Sequence, residues 1–336
     1  MENIINQAPI FVVVLLLIAG FALLIKGADF FVEGSSSVAK RLKVPSIIIG
    51  LTVVAMGTSL PETAVSVTAS LAGNNELAVS NAIGSNIFNL IVVIGFCACL
   101  TPVMVGSETI KRDIPFSAIC AVILLGLGLL GIFDTSGMVL GHVDGALMLV
   151  VFAVYLTFLV VHTLKERKAA IAEEANGGKE AGKEEIKLIP IPLSILYIVG
   201  GGAAIAFGGD LTVDAATRIA LDLGMSQTLV GLTIVSIGTS LPELVTSIVA
   251  AKKNEVGMAL GNAIGSNIFN ILMVLGIASA ISPITFITEN MIDICILLVV
   301  TLVVWIFAAS KKKISRIEGI IMLAMYVAYA AYIFIR

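Results

Sequence analysis

The sequence predicts an all-α membrane protein: ten transmembrane helices in two inverted five-helix repeats, with helices 2 and 7 discontinuous. Three observations lead there. Hydrophobic residues fill 58% of the 336 positions and charged residues 13%, against about 25% charged in a soluble domain; the mean hydropathy is +1.08. Apolar runs of about 20 residues, enough to cross ~30 Å of hydrocarbon at 1.5 Å per residue, recur along the chain. Residues 48–96 also align without a gap to residues 229–277, with 24 of 49 positions identical.

The ten runs fall near 9–31, 46–71, 77–100, 114–133, 145–164, 188–208, 226–251, 257–281, 290–309 and 316–335, with short turns at 72–76 and 252–256. Met1-Glu2-Asn3 lacks a basic segment and the first run is long enough to span, so no cleaved signal is expected. With ten spans the loops alternate sides. Of the 20 Lys and Arg residues, 17 fall on one side, in clusters around Lys40, Lys111, Lys165, Lys183, Lys252 and Lys311. Only Arg218 and Arg336 fall on the other, and Lys26 lies within the first span. The positive-inside rule then places both termini outside a cell membrane. Dropping or adding one span would scramble this asymmetry.

The alignment divides the chain into a first repeat (1–164), a charged cytoplasmic linker (165–187) and a second repeat (188–336). The linker is Lys/Glu-rich, contains Asn176-Gly177-Gly178 and can be helical in part. It is too short for a folded domain of its own. The constant offset of 181 also pairs Gly20 with Gly201, Gly27 with Gly208, Asp29 with Asp210 and Glu33 with Asp214. Five spans separate equivalent points, so the second half crosses in the opposite sense. Such inverted repeats place a site near the midplane on interrupted helices.

Several chemistries are disfavoured. Cys97, Cys99, Cys120 and Cys295 lie in apolar runs without a CxxC pattern and read as small buried hydrophobes. His142 and His162 are isolated, and no basic face interleaved with aromatics suggests nucleic acid.

The best-matched blocks are polar. Gly57-Thr58-Ser59-Leu60-Pro61-Glu62 repeats as Gly238-Thr239-Ser240-Leu241-Pro242-Glu243. Pro61 lacks an N–H and its ring clashes with the Gly57 carbonyl, so a break is expected, with Leu60 pushed from helical geometry and carbonyls from Ala55 to Thr58 left free. Pro242 should act likewise on Gly238 and its neighbours. Loosened backbone survives in lipid only where it lines a cavity or binds something. Ser59 and Glu62 also fit a capping box. A cap is worth ~1 kcal/mol, whereas an ionised acid in mid-membrane costs at least ~2.5–3.5 kcal/mol, so capping alone does not explain two such glutamates. In the next spans Asn81, Ser85 and Asn89 form a stripe spaced by four, repeated by Asn262, Ser266 and Asn270. Interhelical hydrogen bonding is the plain reading of that stripe, and Gly84 and Gly265 would let another helix approach. Its pairing with the Pro-broken spans favours a shared site.

Calcium takes 6–8 oxygens, carboxylates and carbonyls preferred. Glu62 and Glu243 supply up to four, and the hydroxyls and amides add neutral oxygens suited to sodium. With Cys and His absent nearby, a soft metal is disfavoured. On these two blocks the chain resembles the calcium/cation antiporter superfamily, specifically its prokaryotic sodium/calcium exchanger branch, over essentially its whole length. The resemblance implies that Glu62 and Glu243 with the backbone oxygens of Thr58 and Thr239 hold calcium. The same glutamates with Ser59, Ser85, Asn89, Ser240, Ser266 and the carbonyls of Ala55 and Ser236 would hold sodium, with Asn270 beside them. Some relatives, potassium-dependent exchangers included, carry Asp at the Asn270 position, which makes potassium co-transport by this chain less expected. The implied activity is electrogenic calcium extrusion by alternating access, with no cofactor beyond the transported calcium and sodium and the bilayer as surroundings; the sequence leaves the oligomeric state open, a monomer included. Lys26, Asp29 and Glu33 read as a snorkelling lysine with local ion pairs. Asp29 and Asp210, being repeat-matched, can also gate, since in relatives spans 1 and 6 slide across the rest. A proton-coupled calcium antiporter is the nearest rival; a passive channel and an intramembrane hydrolase, which would need a positioned water and base, are more distant.

Overall fold

A computed structural model describes residues 5, 7–73, 75–130, 138–175, 188–225, 230, 234 and 236–335. Helix α1 (Ile10–Leu42) begins after Pro9 and ends where Lys43 turns left-handed, its N–H bonding the carbonyls of Ala39 and Lys40. The second span is a bent pair, α2 (Ser46–Thr58) and α3 (Leu60–Leu71). Then come α4 (Asn75–Phe88, a π turn Asn89–Val93, and Ile94–Leu100) and α5 (Ile114–Leu130), which follows a π turn Thr109–Asp113. Helix α6 (His142–Ala175) closes the first half. The second half contains α7 (Ile191–Asp222), the short α8 (Ser236–Gly238), α9 (Leu241–Lys252) and α10 (Val256–Phe269, a π turn Asn270–Val274, and Leu275–Ile281). It ends with α11 (Thr288–Lys311) and α12 (Arg316–Ile335).

Among the described residues eight helices are long and apolar enough to span, nine with the bent pair. The remaining expected span, 226–251, has most of its first ten residues outside the described set; α9 is its second part. The first part of the charged linker is helical, as its composition allowed. Helix α6 continues to Ala175, and 176–187 lie outside the described residues.

Helices α1 and α7 are longer than their apolar runs. At 33 residues, α1 measures about 50 Å. The run ends where polar residues such as Ser35 to Ser37 begin, but these side chains are buried against neighbouring segments, so the helix continues. α1 and α7 cross with backbones in contact. A Cβ at Gly27 would lie 2.9 Å from the Gly201 carbonyl, and one at Gly208 would lie 2.9 Å from the Gly20 carbonyl. Gly20 thus meets Gly208 and Gly27 meets Gly201, so these repeat-mates run antiparallel. Gly201→Leu should lose about 1–3 kcal/mol or more by overpacking, read as a lower midpoint in detergent thermal unfolding. An unchanged midpoint would mean that the contact can relax.

Two short antiparallel strand pairs join the halves. β1 (Val103–Met104) pairs with β4 (Lys313–Ile314), and β2 (Val139–Leu140) pairs with β3 (Ile284–Thr285). All four cysteines are free, but only Cys97 and Cys120 are buried; Cys295 is exposed on the apolar surface, where lipid covers a small thiol as well as protein does. The expectation that all four are buried is corrected there and at the half-buried Cys99. His142 Nδ1 lies 2.9 Å from the Ala280 carbonyl, and His162 Nδ1 lies 3.3 Å from Arg112.

Candidate functional site

Both Pro-bearing spans break next to their prolines. α2 itself changes geometry, from an α turn to the π turn Gly50–Val54 and back to α at Ala55–Thr58. It meets α3 at a 47° bend. The residue that leaves helical geometry is Ser59 (φ −83°, ψ 8°), while Leu60 opens α3 with Pro61 in the first turn. This corrects the expectation at Leu60. A proline in the first turn has no N–H to lose, so the strain moves one residue back. The Ala55 carbonyl is not free either: it accepts the Ser59 N–H at 3.0 Å, and the Thr58 hydroxyl lies 3.3 Å from it. Pro61 removes only the donor that would reach Gly57. In the second half Ser240 (φ −94°, ψ 3°) plays the part of Ser59, and α9 carries Pro242 in its first turn.

The capping-box reading fails at both breaks. Neither Ser59 nor Ser240 caps its helix through the side chain. Ser59 instead donates to Glu243 Oε1 at 3.2 Å, and Ser240 donates to Ser85 at 3.0 Å. Each serine therefore reaches into the other half.

Around these breaks the polar residues of both halves converge. Glu62 and Glu243 are wholly buried and within Coulombic reach of each other. Ser266 donates to Glu243 Oε1 at 3.3 Å. Thr58 donates to Asn262 Oδ1 at 3.0 Å, and Thr239 donates to Asn81 Oδ1 at 3.2 Å. Those asparagines are anchored in turn, Asn262 Nδ2 on Ser247 at 3.0 Å and Asn81 Nδ2 on Ser66 at 3.2 Å. Ser85, Asn89, Ser266 and Asn270 are all buried beside them. Ser236 opens the turn α8, and its side chain lies outside the description.

Unpartnered atoms show what the site can hold. Both Glu62 oxygens, Glu243 Oε2, Asn89 Oδ1 and Asn270 Oδ1 are buried without a hydrogen-bond partner, as is Asn89 Nδ2. Buried polar atoms are nearly always paired, so a cluster this rich in orphan acceptors fits a cation. Among the described residues no cluster of three His, Cys, Asp or Glu occurs, so the donor set is two carboxylates with neutral oxygens. That suits hard cations and not soft metals.

The sequence reading missed Asn86 and Asn267. Each donates its amide at 3.1 Å to the other's backbone carbonyl, tying α4 to α10 beside the site. Asn86 Oδ1 also accepts Asn270 Nδ2 at 3.2 Å, which leaves the Asn270 oxygen facing away from that bond. Their identity between halves was the available signal, but they fall off the four-residue stripe that drew attention to their neighbours.

The acids on α1 and α7 differ from expectation. Asp29 and Glu33 pair not with Lys26 but with Lys253, at 2.7 Å and 3.5 Å. Helical spacing alone permits a local partner; packing of the α9–α10 turn on α1 supplies a distant one. Asp210 is exposed and lines a 660 Å³ cavity with Leu60, Pro61, Ala64, Thr68 and Ala72.

Comparison with known proteins is consistent along the chain. The family profile described as "Sodium/calcium exchanger protein" matches residues 12–161 and 193–335. The putative antiporter CaxA of Alkalimonas amylolytica is 39% identical over 341 residues, covering 97% of this chain and 98% of its own. Sodium/calcium exchanger MaX1 of Methanosarcina acetivorans is 31% identical over 352 residues, covering 95% and 98%. Among solved structures, the sodium-calcium exchanger NCX_Mj superposes with a TM-score of 0.80 at 32% identity, covering 96% of this chain and 99% of that one.

Proposed function

Because the chain belongs to the sodium/calcium exchanger protein family, we propose that it exchanges sodium for calcium by alternating access, through the buried cluster centred on Glu62 and Glu243. The observation that carries this reading is the set of orphan acceptor oxygens on both halves around two buried carboxylates. Glu62, Glu243 and the carbonyls of Thr58 and Thr239 hold calcium. Ser59, Ser85, Asn89, Ser240, Ser266 and Asn270, with the carbonyls of Ala55 and Ser236, complete the sodium positions.

Charge supplies the coupling. An empty site with both glutamates ionised buries two negative charges, each with a desolvation penalty of several kcal/mol. Closing the pathway over that empty site is therefore disfavoured, and bound calcium or sodium removes the penalty. Calcium then leaves one side only as another cation replaces it, which makes the protein an exchanger and not a channel. The antiparallel crossing of α1 with α7 and the reciprocal bonds across the site support the inverted, ten-span arrangement. The basic loops favour a cytoplasmic Lys253 side with both termini outside, and calcium extrusion is electrogenic when more than two sodium ions replace each calcium.

The test is calcium-45 uptake into vesicles containing the purified protein. Sodium-loaded vesicles diluted into sodium-free medium should accumulate calcium, and potassium-loaded vesicles with or without a pH gradient should not. Acidification should lower the sodium-driven flux, because protons compete with cations for the carboxylates. Uptake driven by a pH gradient without sodium would establish the proton-coupled rival, and sodium-independent, non-saturating flux down the calcium gradient would establish a channel.

A further inference from the structure

The two ends of the pathway differ although the sequence makes them repeat-mates. On the basic side the α9–α10 turn is tied to α1. Lys253 Nζ lies 2.7 Å from Asp29 Oδ1 and 3.5 Å from Glu33 Oε2, and donates to the Asp29 backbone carbonyl at 3.0 Å. A second tie runs the other way: Lys40 of α1 lies 2.8 Å from Glu255 Oε1, which also accepts the Ser36 hydroxyl. Burial pushes the Glu255 carboxyl up, but Lys40, Ser36 and Ser46 together hold it below the usual carboxylate range. A depressed carboxyl loses its contribution only as the pH falls through that lowered value, so this tie is intact at neutral pH.

At the opposite end the acid remains and the base does not. The offset of 181 carries Asp29 to Asp210 but Lys253 to Ala72, and carries Lys40 to Leu221 and Glu255 to Asn74. There α3 stands off from α7 across the 660 Å³ cavity, which Ala72 and Asp210 both line. The walls record the same difference. Pro242 is buried where its mate Pro61 is half-buried, and Val249 is half-buried where Thr68 is exposed.

We propose that Lys253 is a gate residue of the transport cycle. Its ion pairs to Asp29 and Glu33 latch the basic-side entrance shut, and the alanine at the mirror position, Ala72, leaves the other entrance open at rest. A lysine at one end only makes the two faces unequal in free energy, although the helices that form them are matched. Opening towards the basic side requires these pairs to break, and the charge released is retained on α1 as Asp29 and Glu33 at the entrance where a cation arrives. The proposal builds on the antiport reading, since a latch matters only if the pathway opens to alternate sides.

The test uses the full chain in vesicles, with Cys99 and Cys295 replaced by alanine and the buried Cys97 and Cys120 retained. Thr68→Cys and its repeat-mate Val249→Cys report on the two entrances through their rates of labelling by a membrane-impermeant thiol reagent, applied from each side. Thr68→Cys should label quickly and Val249→Cys slowly. Adding Lys253→Met should raise the Val249→Cys rate about two- to fivefold and slow Thr68→Cys, the size expected of part-exposed ion pairs. The charge exchange Asp29→Lys with Lys253→Asp should restore the original rates. Ala72→Lys should slow Thr68→Cys by giving Asp210 a basic partner at the position that Lys253 holds in the other half. Unchanged rates with Lys253→Met, or rates moved equally by Lys253→Met and the charge exchange, would overturn the latch. If Lys253→Met does not fold, Ala72→Lys decides: no slowing of Thr68→Cys overturns the proposal. These rates report gate position whichever ion drives flux, so a failed latch and a failed sodium dependence in vesicles remain distinguishable.

Discussion

Glu62→Gln and Glu243→Gln should each reduce sodium-driven calcium uptake about a hundredfold or more while leaving the protein folded. Glutamine keeps the shape of the side chain and one acceptor oxygen but removes the charge. With one carboxylate left, calcium brings two positive charges to a site holding one negative charge, and the excess stays buried. Removing one partner of a buried ion pair typically costs about 3–5 kcal/mol, and about 1.4 kcal/mol is a factor of ten, so two orders of magnitude is a conservative expectation. Folding should survive, because neither Glu62 oxygen nor Glu243 Oε2 makes a hydrogen bond that the fold depends on. Glu243→Gln is the sharper case: Oε1 accepts from both Ser59 and Ser266, which a glutamine oxygen can still do. Size-exclusion behaviour and thermal midpoint would report folding, and calcium-45 uptake would report function. Near-normal exchange in either variant would remove the carboxylate pair from the mechanism.

Asn270→Asp should change how many cations the site needs. The Asn270 amide donates to Asn86 Oδ1 at 3.2 Å, and its own oxygen is a buried acceptor without a partner. An aspartate loses that donor and sets an anionic oxygen against the Asn86 oxygen. It also brings the buried charge from two carboxylates to three, so one calcium no longer neutralises the site. Several kcal/mol of uncompensated burial should slow calcium exchange at least about tenfold when no further monovalent cation is supplied. Added potassium, or more sodium, should recover part of the rate by filling the extra charge. Initial rates against potassium concentration, at fixed sodium and calcium, give the answer. A rate that is unchanged and potassium-independent would show that position 270 does not share the electrostatics of the glutamates.

Much of the site was legible because its chemistry is incompatible with its surroundings. Glutamate, proline, asparagine and serine are costly in apolar helices, so their presence at matched positions in Gly57–Glu62, Gly238–Glu243, Asn81–Asn89 and Asn262–Asn270 marked the site before any fold was known. The breaks were readable from Pro61 and Pro242, although their placement at Ser59 and Ser240 depended on where the prolines fell in the new helix turns. The full length of α1 was not readable. Ser35, Ser36, Lys40 and Arg41 look like the polar end of a span, and only contact with Glu255 and Ile189 makes that stretch a continued, packed helix.

The sequence by itself determined the class of protein, the doubling of its halves and the residue types at the site. Those follow from transfer free energy and periodicity, which are local properties of the chain. Tertiary structure alone decided which partners those residues take. Ser59 has a local cap available and bonds Glu243 of the other half; Lys26 lies one turn from Asp29, and Lys253 makes the ion pair. Each choice pits a nearby group against one more than a hundred residues away along the chain, and only the packing of the helices brings the distant one closer.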